Sequence, residues 1–391
     1  MIFIIPLTIL SLSFLVLTGY TFFTIRYRNG SPGNRENQST KPFPPVSILK
    51  PLRKKDDQIE KNLESYFLLD YPDYEILFGV DSCDEPVTEI IGLLQASYPR
   101  VSARVIVTGH ADTGNPKIHK LTLLAEEARG TLYWVSDSNT RVEKNTLARL
   151  VDEYLGKNAK IIFSPIRSAG SRSIGSIIEN VYFTNFVSAN MIFAWKLFKK
   201  QIVIGKSILV ERDTLDYFGG FHYFKDYLAE DYMLGKAYTR SKIPISTNFT
   251  WVINVSQTTT LKDAFSRMER WAKLRFHLSL HFYLLELFLN PVMLALIFSL
   301  LMGGNRGLMI LLGSLFLKIV LECAGFLVIN HEERGKFRVV AMLPFCIILK
   351  DVLLFIVYFT PFFSSTVNWR GGKIRIGRNT LIYPKTGESL G

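Results

Sequence analysis

The chain is poor in cysteine, and its cysteines follow no pattern. Cys83, Cys323 and Cys346 are the only three in 391 residues, far apart and without metal-ligand spacing. Three thiols cannot all pair, and two of them sit inside apolar runs. This argues against a disulfide framework and for a reducing or buried setting. Histidine is also sparse. Of six, only His277 and His281 lie close together. Their i, i+4 spacing would permit a metal pair, but they open an apolar segment and lack the intervening glutamate of a metalloprotease, so an interfacial role is favoured. No dense basic tract is available to grip nucleic acid, although Lys and Arg outnumber Asp and Glu by 46 to 34. The basic residues flank the apolar segments instead. No long internal repeat or low-complexity tract is visible. The first apolar run also lacks the preceding positive charge and following small residues of a cleaved leader.

What is present is apolar surface. Hydrophobic residues make up 48% of the chain, the mean hydropathy is positive, and the net charge is +12. Together these point to an integral membrane protein with a basic cytoplasmic face. Residues 2–25 are long enough to cross a bilayer, which takes about 20 helical residues. Arg26 and Arg28 follow, so residues 1–28 read as an uncleaved anchor with the next domain on the cytoplasmic side. Residues 29–45, rich in Gly, Asn, Ser and Pro, read as a linker. Toward the other end, 278–302 and 308–330 are spanning candidates parted by Gly303, Gly304 and Asn305, and the charged 331–338 should return to the cytoplasm. A further apolar stretch, 339–363, is interrupted by Lys350 and Asp351. Charges at that depth are expensive, so it is either a span with an internal ion pair or a re-entrant segment. The basic run 369–378 places the chain's end in the cytoplasm and favours the re-entrant form. Residues 278–365 are therefore expected to be a transmembrane or re-entrant region, with 366–391 a basic tail. A multi-pass integral membrane protein follows.

Residues 46–277 have soluble character. Short β-rich runs at 46–51, 74–81, 103–109, 131–137 and 160–166 alternate with helical patterns at 57–68, 86–97, 117–128 and 143–155. Such alternation implies an α/β fold with a doubly wound, mostly parallel sheet. Ligands bind such sheets beyond the carboxyl ends of the strands. Asp81 and Asp137 each end a strand, so both should face one crevice. Asn139 stands where a second carboxylate would complete an Asp-x-Asp metal site.

Four further features have both a chemical and a bland reading. Glu230 and Asp231 lie within a helical pattern and could be catalytic or a solvated face. Arg267, Arg270 and Trp271 share one helix face, suited to phosphate oxygens and a sugar ring or to anionic lipid. Lys117 sits at a loop-to-helix junction that could meet a phosphate. Residues 181–198, which include Trp195 and Lys196, could be an interfacial helix that delivers a lipid or an ordinary core helix.

In order, Asp81, Asp137, Ala229-Glu230-Asp231 and Arg267-x-x-Arg270-Trp271 resemble the D, D, D, (Q/R)-x-x-R-W series of membrane-bound inverting glycosyltransferases with the GT-A fold. The segments 47–53, 66–80, 115–121, 136–142, 229–237 and 266–275 are similar to those of the ceramide glucosyltransferases in particular. The resemblance covers about 46–275, and the flanking apolar segments agree with it. It implies a GT-A catalytic domain over 46–277 and transfer of a hexose, glucose in that family, from a UDP-sugar to ceramide. Asp231 would be the catalytic base and Asp81 a nucleoside contact. Asp137 would hold the diphosphate through Mg²⁺ or Mn²⁺. Arg270, Trp271 and Lys117 would contact the donor, with Glu230, Arg267 and Trp195 as further diphosphate or acceptor contacts. With Asn139 in place of an acid, the metal would take most ligands from diphosphate and water and bind weakly without nucleotide. A hopanoid-associated branch of sugar transferases shares much of the pattern, so the acceptor stays open between the two lipids. A processive polysaccharide synthase uses similar motifs but would need more spans for a polymer channel. A non-enzymatic membrane scaffold would leave the aspartate series a coincidence.

Overall fold

The computed structural model describes residues 4–29, 43–52, 56–111, 114–247, 249–369 and 372–383. Most of the expected linker 29–45, and residues 370–371 and 384–391 of the basic tail, lie outside the described residues. The chain divides into two compact units. One comprises Asn29–Arg167 and Ala194–Val255; the other comprises Met1–Arg28, Ser168–Phe193 and Ser256–Gly391.

The first unit holds the sheet. Its strands are β1 (Val46–Pro51), β2 (Tyr74–Val80), β3 (Ser102–Val107), β4 (Leu132–Ser136), β5 (Thr140–Arg141), β6 (Ile161–Phe163), β7 (Ile166–Ala169, which runs across the unit boundary), β8 (Ser207–Glu211), β9 (Ile245–Ser246) and β10 (Val252–Val255). Seven form one sheet in the order β3-β2-β1-β4-β8-β6-β9. The first four are mutually parallel, β8 runs antiparallel to both β4 and β6, and β9 is parallel to β6. The α/β class and mostly parallel sheet expected from the sequence are therefore present.

Buried parallel strands read as unbroken apolar runs because helices cover both faces. β1 and β4 show this, buried at every position. The helices Ile59–Phe67, Pro86–Ser97, Pro116–Glu126 and Thr146–Lys157 match the four expected. The first buries Ile59, Leu63, Tyr66 and Phe67, the spacing of one helical face. At the centre Trp134 is fully buried, its indole N–H donating to Ser207 Oγ at 3.0 Å and its ring 5.4 Å from that of Tyr66. The run 160–166 is two strands rather than one. Pro165 falls between them, and with no N–H it cannot continue the ladder.

Among the described residues the second unit holds three helices long and apolar enough to cross a membrane, Pro6–Arg26, Gly304–Ile329 and Phe337–Phe363. Leu280–Glu286 and Pro291–Met302 form a fourth candidate bent by 57°, a broken span or a re-entrant loop. The break between them is residues 287–290, and at its end the Asn290 side chain caps the next helix by accepting from Met293 N–H. Residues 337–363 are one continuous helix despite Lys350 and Asp351. Four charges offset one another there. Lys350 Nζ is 2.6 Å from Glu322 and 3.1 Å from Asp351, and Lys318 Nζ is 2.6 Å from Glu322 and 3.0 Å from Asp351. All four are buried. A neutral, fully paired quartet removes the penalty that an isolated charge would carry in an apolar helix. Asn185, in the π-helix Tyr182–Ser188, donates to the Glu322 carbonyl at 2.9 Å.

Candidate active site

The carboxyl ends of the parallel strands carry the first two motif aspartates. Asp81 follows β2 and Asp137 follows β4, with β1 between them, so two strand spacings, about 10 Å, separate their backbones. Asp81 forms a pair of its own. Its Oδ1 lies 2.7 Å from Nζ of buried Lys120, which also donates to the Leu52 carbonyl, and its Oδ2 is 3.5 Å from His110 Nδ1.

Asp137 lies at the centre of a larger cluster. Lys117 reaches it from the first turn of the helix Pro116–Glu126, where Asn115 caps the helix by accepting from Lys117 N–H at 2.9 Å. Lys117 Nζ lies 3.0 Å from Asp137 Oδ1, 3.0 Å from Glu230 Oε1 and 3.3 Å from the Gly205 carbonyl. Burial alone would lower the Lys117 pKa, but Asp137, Glu230 and Asp231 outweigh it and push it up. Burial likewise disfavours the Asp137 carboxylate, yet Lys117 and Lys206 hold its pKa well below the usual carboxylate range. Beneath it, buried Lys50 lies over the Tyr66 ring at 3.6 Å and donates to the Asp137 carbonyl at 3.0 Å. Burial drives the Lys50 pKa far down.

Glu230 and Asp231 open the helix Glu230–Arg240, whose positive end favours carboxylates. Asp231 Oδ2 accepts from Gly205 N–H at 2.6 Å and its Oδ1 from Tyr232 N–H at 2.8 Å. Burial and then the Glu230 charge nevertheless push Asp231 up to about 6. Glu230 Oε2 accepts from Asn115 Nδ2 at 3.0 Å, which fixes it against the Lys117 helix. A carboxylate raised in this way is more basic than usual, which suits it to accept a proton near neutral pH.

The structure therefore brings Lys117, Asp137, Glu230 and Asp231 together and leaves Asp81 in a neighbouring pair. Trp195 is placed elsewhere in this unit, edge-on to Phe163 with ring centroids 6.0 Å apart. The motif helix Leu261–Leu278 belongs to the other unit. Within that unit Arg267 pairs with buried Glu179, and Trp271 packs edge-on against Tyr182 and Phe183. Arg270 lies between Arg267 and Trp271 on the same helix.

Sequence reasoning missed Lys206, Gly205, Lys120, Lys50 and Glu179. A lysine inside the apolar strand β1 is a readable signal. Lys206 carries none, because its position depends on β8 running antiparallel beside β4. The pairing of Ser136 with Ser207 sets the amino end of β8 next to Asp137. Lys206 Nζ is 3.1 Å from Asp137 Oδ2 and donates to Asn139 Oδ1 at 2.6 Å. Among the described residues no group of three or more His, Cys, Asp or Glu is placed to hold a metal. Both Asp137 oxygens are held by lysines, so a hard cation could take an oxygen from it only by displacing one of them and would draw its other ligands from a bound anion and water.

Comparison with known proteins gives this arrangement a context. The model of glycosyl transferase family 21 matches residues 8–382. The chain is similar to ceramide glucosyltransferase 1 of Caenorhabditis elegans, 26% identical over 363 residues, covering 88% of this chain and 76% of that one. It is similar to ceramide glucosyltransferase 3 of the same organism, 24% identical over 345 residues, covering 88% and 75%. Among solved structures, a mannosyltransferase from Pyrobaculum calidifontis in complex with GDP-Man and Mn²⁺ superposes with a TM-score of 0.48 at 12% identity, covering 92% of this chain and 98% of that one.

Proposed function

The chain belongs to glycosyl transferase family 21, and on that premise we propose that it moves glucose from a UDP-sugar to the hydroxyl of a ceramide-type membrane lipid, with inversion. One observation supports this most. Asp231, the third motif aspartate, is raised to about 6 and lies beside Glu230, joined to Asp137 through Lys117.

In this reading the acceptor oxygen attacks the anomeric carbon from the face opposite the diphosphate. The new C–O bond forms as the bond from that carbon to the diphosphate oxygen breaks, and the electron pair leaves with UDP. The acceptor proton passes to the Asp231 carboxylate and is later released to water. The Gly205 and Tyr232 amides aim the two Asp231 oxygens, so little reorganisation is needed as the proton moves. Lys117 carries a fixed positive charge to offset charge growing on the leaving group. A Mg²⁺ or Mn²⁺ arriving with the donor, with Asp137 as its protein ligand, would add further positive charge there. Asp81 is assigned to the nucleoside, and Arg270 and Trp271 keep the donor-binding role that their motif implies.

The acceptor is tested by incubating the full-length protein in vesicles with labelled UDP-glucose and either ceramide or a hopanoid lipid. Labelled glycolipid from ceramide is expected. Product from the hopanoid alone would reassign the acceptor, and labelled polymer would make the protein a synthase.

A further inference from the structure

Asp137 is neutralised twice. Lys117 and Lys206 approach its two oxygens from different elements, the helix Pro116–Glu126 and the turn entering β8, and both side chains are largely buried, at 13% and 14% exposure. Lys117 also serves Glu230, but among the described residues the only other partner of Lys206 at the site is the neutral amide oxygen of Asn139. Were residue 139 a carboxylate, the Lys206 charge would be consumed within the protein. With asparagine there, the ammonium is matched only by an aspartate that is itself shared. Asp137 remains 28% exposed, so the cluster opens to solvent at the strand ends.

The backbone holds this arrangement closely. The Gly205 carbonyl accepts from Lys117, its N–H donates to Asp231, and the next residue is Lys206. A Cβ at Gly205 would lie 2.9 Å from Asp231 Oδ2 and 3.0 Å from Lys117 Nζ, so a side chain there would push both groups out of place. One dipeptide thus positions the base and both ammonium groups.

We infer that Lys206 is a donor-binding residue, which forms with Lys117 a two-ammonium clamp for the diphosphate, the clamp being held by Asp137 until the donor displaces it. A diphosphate offers each ammonium a more highly charged set of oxygens than a shared carboxylate, and Asp137, 28% exposed, can be rehydrated as the lysines leave it. It also frees an Asp137 oxygen, and donor binding then precedes any metal contact at that side chain. The clamp rests on the donor reading given above. It extends that reading by placing part of the diphosphate affinity in the protein itself, independent of a metal.

The test is calorimetric binding of UDP to the detergent-solubilised full chain with excess EDTA or with Mn²⁺, with uridine binding followed by saturation-transfer NMR. Wild type is expected to bind UDP in EDTA. Lys206→Met, which keeps the stem and removes the charge, should weaken UDP binding roughly tenfold or more, the size of a lost charge-assisted hydrogen bond, while uridine binding is unchanged. Three results would overturn the clamp. The variant could bind UDP as wild type does, or lose uridine and UDP alike, which marks a structural role. Wild type could also bind UDP only with Mn²⁺, which leaves the donor reading standing. Failure of wild type to bind UDP under either condition would overturn the donor reading and the clamp together.

Discussion

Asp231 is the residue at which chemistry and stability pull in opposite directions. Its pKa is raised in the folded chain, so its contribution to stability is complete below the unfolded value near 4 and is lost as pH rises through about 6. Asp231→Asn should therefore abolish turnover while leaving UDP binding nearly intact. It should also unfold later than wild type at pH 8, by about 1–2 kcal/mol once its partial exposure is discounted. That gap should close below pH 4, a trend that thermal denaturation at several pH values would reveal. Wild-type kcat should fall about tenfold per pH unit below 6, as expected of a base that must be deprotonated. A variant with near-normal rate would remove Asp231 from this role. Gly205→Ala probes the same site from the backbone. Its Cβ would press on the base and on Lys117, so steady-state kinetics should show kcat down by about tenfold or more.

At the scale of elements, the buried quartet joins the helices Gly304–Ile329 and Phe337–Phe363. Lys350→Met alone leaves Glu322 and Asp351 short of a cation and should cost about 3–5 kcal/mol. Adding Glu322→Met should recover much of that loss, because Lys318 and Asp351 remain paired. Unfolding of both variants in detergent would measure the difference. The sequence flagged Lys350 and Asp351 as a cost, but it gave no sign that Lys318 and Glu322, a turn apart on another helix, would offset them. The sheet shows the same division. Strands β1 to β4 were legible because each is an apolar run set between amphipathic helices, and Asp81 and Asp137 could be placed at strand ends from that alone. Strand β8 looks no different from them. Its direction is decided by hydrogen bonding to both β4 and β6, which no local pattern encodes, so Lys206 stayed hidden although it sits beside Asp137. Arg267 was legible as a motif residue but not as the partner of Glu179, 88 positions earlier.

The whole molecule combines a sheet unit bearing a cluster of carboxylates and ammonium groups with a unit of apolar helices suited to a bilayer. A soluble sugar-nucleotide enzyme would not need the second unit, and a membrane scaffold would not need Asp231 raised toward neutrality. Together they describe an enzyme whose donor comes from water and whose acceptor comes from lipid. That claim is tested most directly by NMR of the anomeric proton in the glycolipid made from α-linked UDP-glucose and ceramide. The account predicts a single β-linked glucosyl lipid, made by wild type and absent with Asp231→Asn; an α-linked product, or the same product from both proteins, would contradict it.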